Sequence, residues 1–261
     1  MEKQLLSQKE FVVIKSQYDQ NEKKNPVMTK VLANSYFVDE YGNEGFSKDL
    51  IEVFKSLNEI VYKSGEEMWG NVCYLRKKAN TNFIDFFPEQ AIPLKSRRRN
   101  IARIAPHIES IIEIGFNAGH SAALWLMLNE KIKYYGIDLA TDEYMKSCAS
   151  FMKNKFGDRF NLFIGDSRTE MQSIDKKINQ EIDLIHIDGG HSYECADIDL
   201  SNSINISKKL NTKFILLDDT DDARVRTAAN KYIIKGLLQS ESLNGSWEEI
   251  SNSLLRILFQ K

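Results

Sequence analysis

Asp188 and the pair Asp218-Asp219 each close a short apolar run, DLIHID (183–188) and KFILLDD (213–219). If the two runs are neighbouring strands of one sheet, their ends lie about 5 Å apart and three carboxylates converge. Like charges that close raise one another's pKa unless a cation joins them. Oxygen ligands alone suit Mg2+, Ca2+ or Mn2+ rather than zinc. Such a cation would hold the vicinal hydroxyls of a small molecule and lower the pKa of one of them. His191 stands three residues after Asp188, and a neutral imidazole there would accept the hydroxyl proton. The plainer alternative is that the three acids cap helices near Ser192 and Thr220 and that His191 holds a loop.

A second group of residues suits a nucleoside. In EIGFNAGHS (113–121) a strand runs into a helix through Gly115 and Gly119. Gly115 supplies the turn's unusual dihedrals and Gly119 permits close approach of a ligand or of backbone. The following helix start offers free N–H groups. The G-x-G-x-x-G pattern is broken by Asn117 and His120, so a nucleoside without phosphates fits better than a pyrophosphate. Asp138 ends the next strand 23 residues after Gly115, the place of an acid that accepts ribose hydroxyls. Asp166 ends the third, where it would meet an adenine edge. Each alone also reads as a helix cap or a loop acid.

These residues need a sheet to position them. From residue 95 onward, β-branched runs at 110–115, 133–138, 161–166, 183–188 and 213–219 alternate with helical patterns at about 119–129, 142–156, 193–210 and 221–238. That alternation predicts a parallel sheet with helices on both faces, and ligands then sit at the carboxyl ends of the strands. The segment SWEEISNSLLRILFQK (246–261) predicts two late strands as an antiparallel edge hairpin. Residues 1–94 form an extension, mainly helix and loop. Ser47 caps a helix over 47–63 that buries Leu50, Val53, Phe54, Leu57, Ile60 and Val61, while 25–46 reads as loop. The aromatic-rich segment 69–87 is a lid over the substrate or a packing element. The run Lys95-Ser96-Arg97-Arg98-Arg99 reads as a solvated helix face. Among the remaining histidines, His186 reads as core, His107 as surface, and His120 as a turn residue whose backbone matters more than its ring.

EIGFNAGHSA, YYGIDLA, GDS and IDLIHIDGGHSYE followed by FILLDD resemble the class I S-adenosylmethionine-dependent methyltransferases. Within them, the likeness is to the branch of the macrolide-sugar and novobiocin-sugar O-methyltransferases, over residues 95–261. The resemblance implies a Rossmann-like α/β fold with a seven-stranded sheet of order 3-2-1-4-5-7-6. It implies S-adenosylmethionine contacts at Glu113, Gly115, Gly119, Asp138 and Asp166. It also implies a divalent metal, Mg2+, at Asp188, Asp218 and Asp219, with His191 as the catalytic base. The expected reaction is O-methylation of a sugar, glycan or other small-molecule hydroxyl. A nicotinamide-dependent oxidoreductase and a non-catalytic nucleoside-binding scaffold are the rival readings.

Composition is that of an ordinary soluble globular protein. Hydrophobic residues are 42% and charged residues 28% of 261. With 35 Lys+Arg against 37 Asp+Glu the net charge is -2, which disfavours nucleic acid as a partner. No run is long and apolar enough for a membrane span, and the first residues lack the apolar core of a signal peptide. Cys73, Cys148 and Cys195 are odd in number and widely spaced, so a reducing cytoplasm is the expected setting. Oligomerisation with further copies of the chain stays open.

Overall fold

A computed structural model describes residues 11–14, 31–33, 35–38, 43–79, 81–241 and 252–259. Seven strands make the main sheet: β5 (Ser110–Ile114), β6 (Lys133–Asp138), β7 (Phe160–Ile164), β8 (Leu184–Ile187), β9 (Phe214–Asp218), β10 (Leu238–Glu241) and β11 (Asn252–Ile257). Their order is β10-β11-β9-β8-β5-β6-β7, which is 3-2-1-4-5-7-6 counted from β5. β7, β6, β5, β8 and β9 run parallel. β11 is antiparallel to both β9 and β10. Helices α3 (His120–Leu128), α4 (Glu143–Phe156), α6 (Tyr193–Leu210) and α7 (Ala223–Ile234) follow successive strands, and the short α5 (Ser167–Glu170) follows β7.

Side-chain alternation along each strand sorts residues to two faces. Ile112 and Ile114 of β5, Ile185 and Ile187 of β8, and Ile215 and Leu217 of β9 pack beneath α6 and α7. Ile111, Leu184 and Leu216 face the other core. On that face the same alternation also brings Glu113 of β5 opposite His186 of β8, one strand away from Asp218 at the end of β9. α3 is buried on nearly every side, as its all-round apolar sequence requires, because α1 (Lys48–Ser64) lies over it.

α1 begins where expected: the Ser47 side chain accepts the Leu50 N–H at 3.2 Å, and Gly65 ends the helix at φ 72°. The segment expected as loop departs from the reading. Strands β1 (Phe11–Ile14), β2 (Val31–Ala33), β3 (Tyr36–Val38) and β4 (Glu44–Ser47) form a small antiparallel sheet of order β1-β4-β3-β2. Its strands are only three or four residues long, too short to show alternation in sequence. A further helix, α2 (Ile92–Ile104), spans the composition change at residue 95. The edge hairpin exists, but its first strand is β10, where the sequence pattern continued the preceding helix to 238. Residues 246–251 and 260–261 of the expected hairpin lie outside the described residues, as do residues 1–10 and 15–30. Among the described residues no helix is long and apolar enough to cross a membrane.

Candidate active site at the strand ends

Gly115 follows β5 at φ 94°. A Cβ there would stand 2.0 Å from the Asp188 carbonyl oxygen, so the β5 turn and the β8 end meet backbone to backbone and only glycine fits. Asp138, at the end of β6, organises the turn from the other side. Its Oδ2 accepts the N–H groups of Phe116 at 2.7 Å and Asn117 at 3.0 Å, and its Oδ1 accepts the Ala140 N–H at 2.8 Å. A cavity of about 250 Å³ opens here, bounded by Gly115, Asp138, Leu139, Tyr144, Met145 and Ser167 among others.

Three expected cofactor contacts are placed differently. Glu113 is sealed in the core: the Tyr134 hydroxyl donates to its Oε2 and His186 Nδ1 lies 2.7 Å from its Oε1. Strand alternation turns it away from the cavity and toward those partners. Gly119 starts α3 at φ 82°, and a Cβ on it would meet the Phe116 ring at 2.7 Å; the close approach is internal packing. Asp166 caps α5, accepting the Arg168 N–H at 2.9 Å, and pairs with the Arg168 guanidinium. Its neighbours Gly165 and Ser167 line the cavity instead.

The carboxylates converge as two overlapping sets. Donor atoms of His186, Asp188 and Asp218 lie within 4.8 Å of one another, and so do those of Asp188, His191 and Asp219. Asp188 is common to both. Burial and the charge of Asp218 push the Asp188 carboxyl well above its usual range. Burial would lower His186, but Asp218 and Glu113 outweigh it and hold this imidazole well above its ordinary value. Both Asp218 carboxylate oxygens are buried without a hydrogen-bond donor. His191, with 53% of its side chain exposed, places Nε2 2.8 Å from Asp219 Oδ2. That hydrogen bond raises the His191 pKa. Burial raises Asp219, yet the His191 hydrogen bond and the Arg97 charge prevail and hold its carboxyl below the usual range.

Arg97 is the residue missed in the sequence. The basic run is not a solvated face: Arg98 and Arg99 are buried, and Arg97 is 11% exposed in its side chain. Successive helical residues point about 100° apart, so the three arginines reach different partners. Arg97 donates to Asp219 and lies 3.8 Å from Asp218. Arg98 forms a bidentate pair with Glu44 at 2.9 and 2.6 Å. A run of three arginines in a helix that must pack was the available signal. The His120 ring also does more than expected. It is buried, its Nε2 lies 2.9 Å from Asn58 Oδ1 and its Nδ1 lies 3.3 Å from Asn71 Nδ2. His186 is core and His107 is exposed, as their sequence contexts suggest.

A second cavity, about 710 Å³, adjoins the first and shares Gly115 with it. Leu94, Arg97, His191 and Asp219 line it, together with residues 69–71 and 74–76 of the N-terminal segment.

The methyltransferase domain family matches residues 112–220. No curated protein matches the chain in sequence. Among solved structures, the Podospora anserina methyltransferase PaMTH1 bound to S-adenosylhomocysteine superposes with a TM-score of 0.54 at 14% identity, over 81% of this chain and 88% of that one. A Klebsiella pneumoniae protein provisionally described as an O-methyltransferase gives 0.50 at 14% identity, over 78% of this chain and 89% of that one. At such identity the likeness is one of fold. The family match over residues 112–220, the sheet order and the glycine turn at the end of β5 agree on a Rossmann-like methyltransferase fold.

Proposed function

We propose that the protein is an O-methyltransferase that uses S-adenosylmethionine and methylates a hydroxyl of a sugar or other small molecule. One observation carries the reading. The two cavities share Trp69, Gly115, Asn117, Asp188, Gly189 and Gly190, so a donor in one and an acceptor in the other meet over the Gly115–Asp188 contact. The donor cavity suits a nucleoside, with Leu139 and Met145 as apolar walls and the Asp138 carboxylate for ribose hydroxyls. Bound there, S-adenosylmethionine supplies an electrophilic sulfonium methyl group. The protein's work is alignment and proton removal. Because Asp219 accepts from His191 Nε2, the free lone pair of a neutral His191 is on Nδ1. That nitrogen takes the hydroxyl proton as the oxygen–methyl bond forms and the carbon–sulfur bond breaks.

The acid floor fits a divalent cation. Two observations support this reading: both Asp218 oxygens are buried without a hydrogen-bond donor, and burial together with the Asp218 charge raises the Asp188 carboxyl. Asp188, Asp218 and Asp219 would hold Mg2+, which would bind and acidify the acceptor hydroxyl. The test is a methyl-transfer screen over sugars, nucleotide sugars, glycans and catechols, with and without EDTA, alongside binding of S-adenosylhomocysteine and NAD. Tight S-adenosylhomocysteine binding, turnover lost in EDTA and recovery with Mg2+ are expected. Binding of NAD but not S-adenosylhomocysteine defeats the cofactor assignment, and full turnover in excess EDTA defeats the metal.

A further inference from the structure

Residues 66–77 belong to neither the main sheet nor the acid floor, yet they border both cavities. A bridge between Met68 and Lys77 closes this hairpin, with backbone hydrogen bonds of 2.9 and 2.8 Å between them. At its tip the Asn71 N–H donates to the Tyr74 carbonyl at 2.8 Å, and Asn71 Oδ1 accepts the Cys73 N–H at 2.8 Å. Trp69 lines the donor and the acceptor cavities alike and remains 53% exposed. The Arg76 guanidinium covers its ring, 4.3 Å from the centroid, and Glu67 in turn holds Arg76. The indole is therefore oriented in advance, which lowers the cost of stacking a ring against it.

Three ties fix the hairpin to the donor side. Asn117 Nδ2 donates to the carbonyls of Trp69 at 3.2 Å and Gly70 at 2.9 Å. Its Oδ1 accepts the Tyr144 hydroxyl at 2.8 Å, and its backbone N–H is the one held by Asp138. The Glu66 carboxylate accepts the N–H groups of Glu143 at 3.3 Å and Tyr144 at 3.1 Å, at the start of α4. His120 meets Asn71. Asn117 sits at φ 51°, a conformation that asparagine tolerates better than most residues. A single turn residue thus holds the donor-side acid through its backbone and the acceptor-side wall through its side chain.

We propose that residues 66–77 are the acceptor-selecting wall of the active site, with Trp69 as the residue that stacks on the acceptor and Asn117 as the positioning residue that couples this wall to donor binding. The proposal rests on the methyl-transfer reading above. A donor bound against Asp138 immobilises the turn at 115–119, and through Asn117 it immobilises the carbonyls of Trp69 and Gly70. The acceptor wall is then complete only when the donor is in place.

Amide hydrogen exchange of the full chain, with and without saturating S-adenosylhomocysteine, tests the coupling. The variants are Asn117→Gly, which keeps the positive φ without the side chain, and Asn117→Asp, which keeps the Tyr144 contact without the donors. In the wild type the ligand should slow exchange at Met68, Asn71 and Lys77 by about fivefold or more. In both variants that effect should vanish while the Phe116 and Ala140 amides stay protected. With the acceptor that turns over fastest in the screen, Trp69→Ala should raise the acceptor KM about tenfold, more than it lowers kcat, and Trp69→Phe should recover most of the loss. Hairpin protection that survives in Asn117→Gly, a wild-type hairpin untouched while the 115–119 turn is protected, or an acceptor KM unmoved by Trp69→Ala overturns the proposal. A ligand that protects no amide at all overturns the methyl-transfer reading beneath it.

Discussion

In the proposed reaction Asp219 and His191 would divide the labour of proton removal: the carboxylate, 2.8 Å from Nε2, would orient the ring and the imidazole would carry the proton. His191→Ala should therefore lower kcat by about 10²–10⁴ while calorimetry finds S-adenosylhomocysteine binding nearly unchanged. His191→Gln keeps volume but not basicity and should be nearly as damaging. Retention of more than about a tenth of kcat in either variant would reduce the histidine to a positional role. Asp138→Ala should weaken S-adenosylhomocysteine by about 1.5–3 kcal/mol, since it removes charge-assisted bonds; unchanged affinity in the same calorimetry would take Asp138 out of the site. Asp188, Asp218, Asp219 and His191 were legible in the sequence because strand ends announce themselves. Arg97 was not, because its partner Asp219 lies 122 residues away and nothing local tells a buried guanidinium from a solvated one.

At the level of elements, α2 is a charged helix made compatible with burial by acids from two directions. Glu44 of β4 receives Arg98 in the core, where the guanidinium also donates to the Val72 carbonyl at 2.7 Å. Glu44→Gln leaves that guanidinium without its counter-charge and should cost about 3–5 kcal/mol in denaturant unfolding; a loss below about 1 kcal/mol would mean that the carbonyls alone hold it. The parallel strands and their helices could be read because each combines a β-branched run with a following helical period. The N-terminal sheet could not. Gly45 reads as a turn former, yet it sits in β4 opposite Phe37 of β3, where a Cβ would be 2.1 Å from the Phe37 ring. The missing side chain admits the aromatic rather than bending the chain.

For the molecule as a whole, His120 ties stability to pH. Burial pushes its pKa down to about 3, against about 6.5 in an unfolded chain. The unfolded state binds the proton more readily, so stability falls as pH drops below about 6.5, reaching a loss of about 2 kcal/mol near pH 5. His186, held high by Glu113 and Asp218, contributes in the opposite sense: its share is full below about 6.5 and fades as pH rises through its raised folded-state value. The contribution of His120 is isolated by comparing wild type with His120→Gln in urea at pH 7 and pH 5. The variant should lose less stability on acidification by about 2 kcal/mol, and parallel losses would show that the ring is not kept neutral. The Gly115–Asp188 contact has a practical side for anyone seeking to change what the enzyme accepts. Randomising position 115 yields a library of broken folds, because no side chain fits against the Asp188 carbonyl. Diversity placed at Leu75, Arg76 and Leu94 leaves that junction alone and reshapes the proposed acceptor cavity without touching the lining of the other.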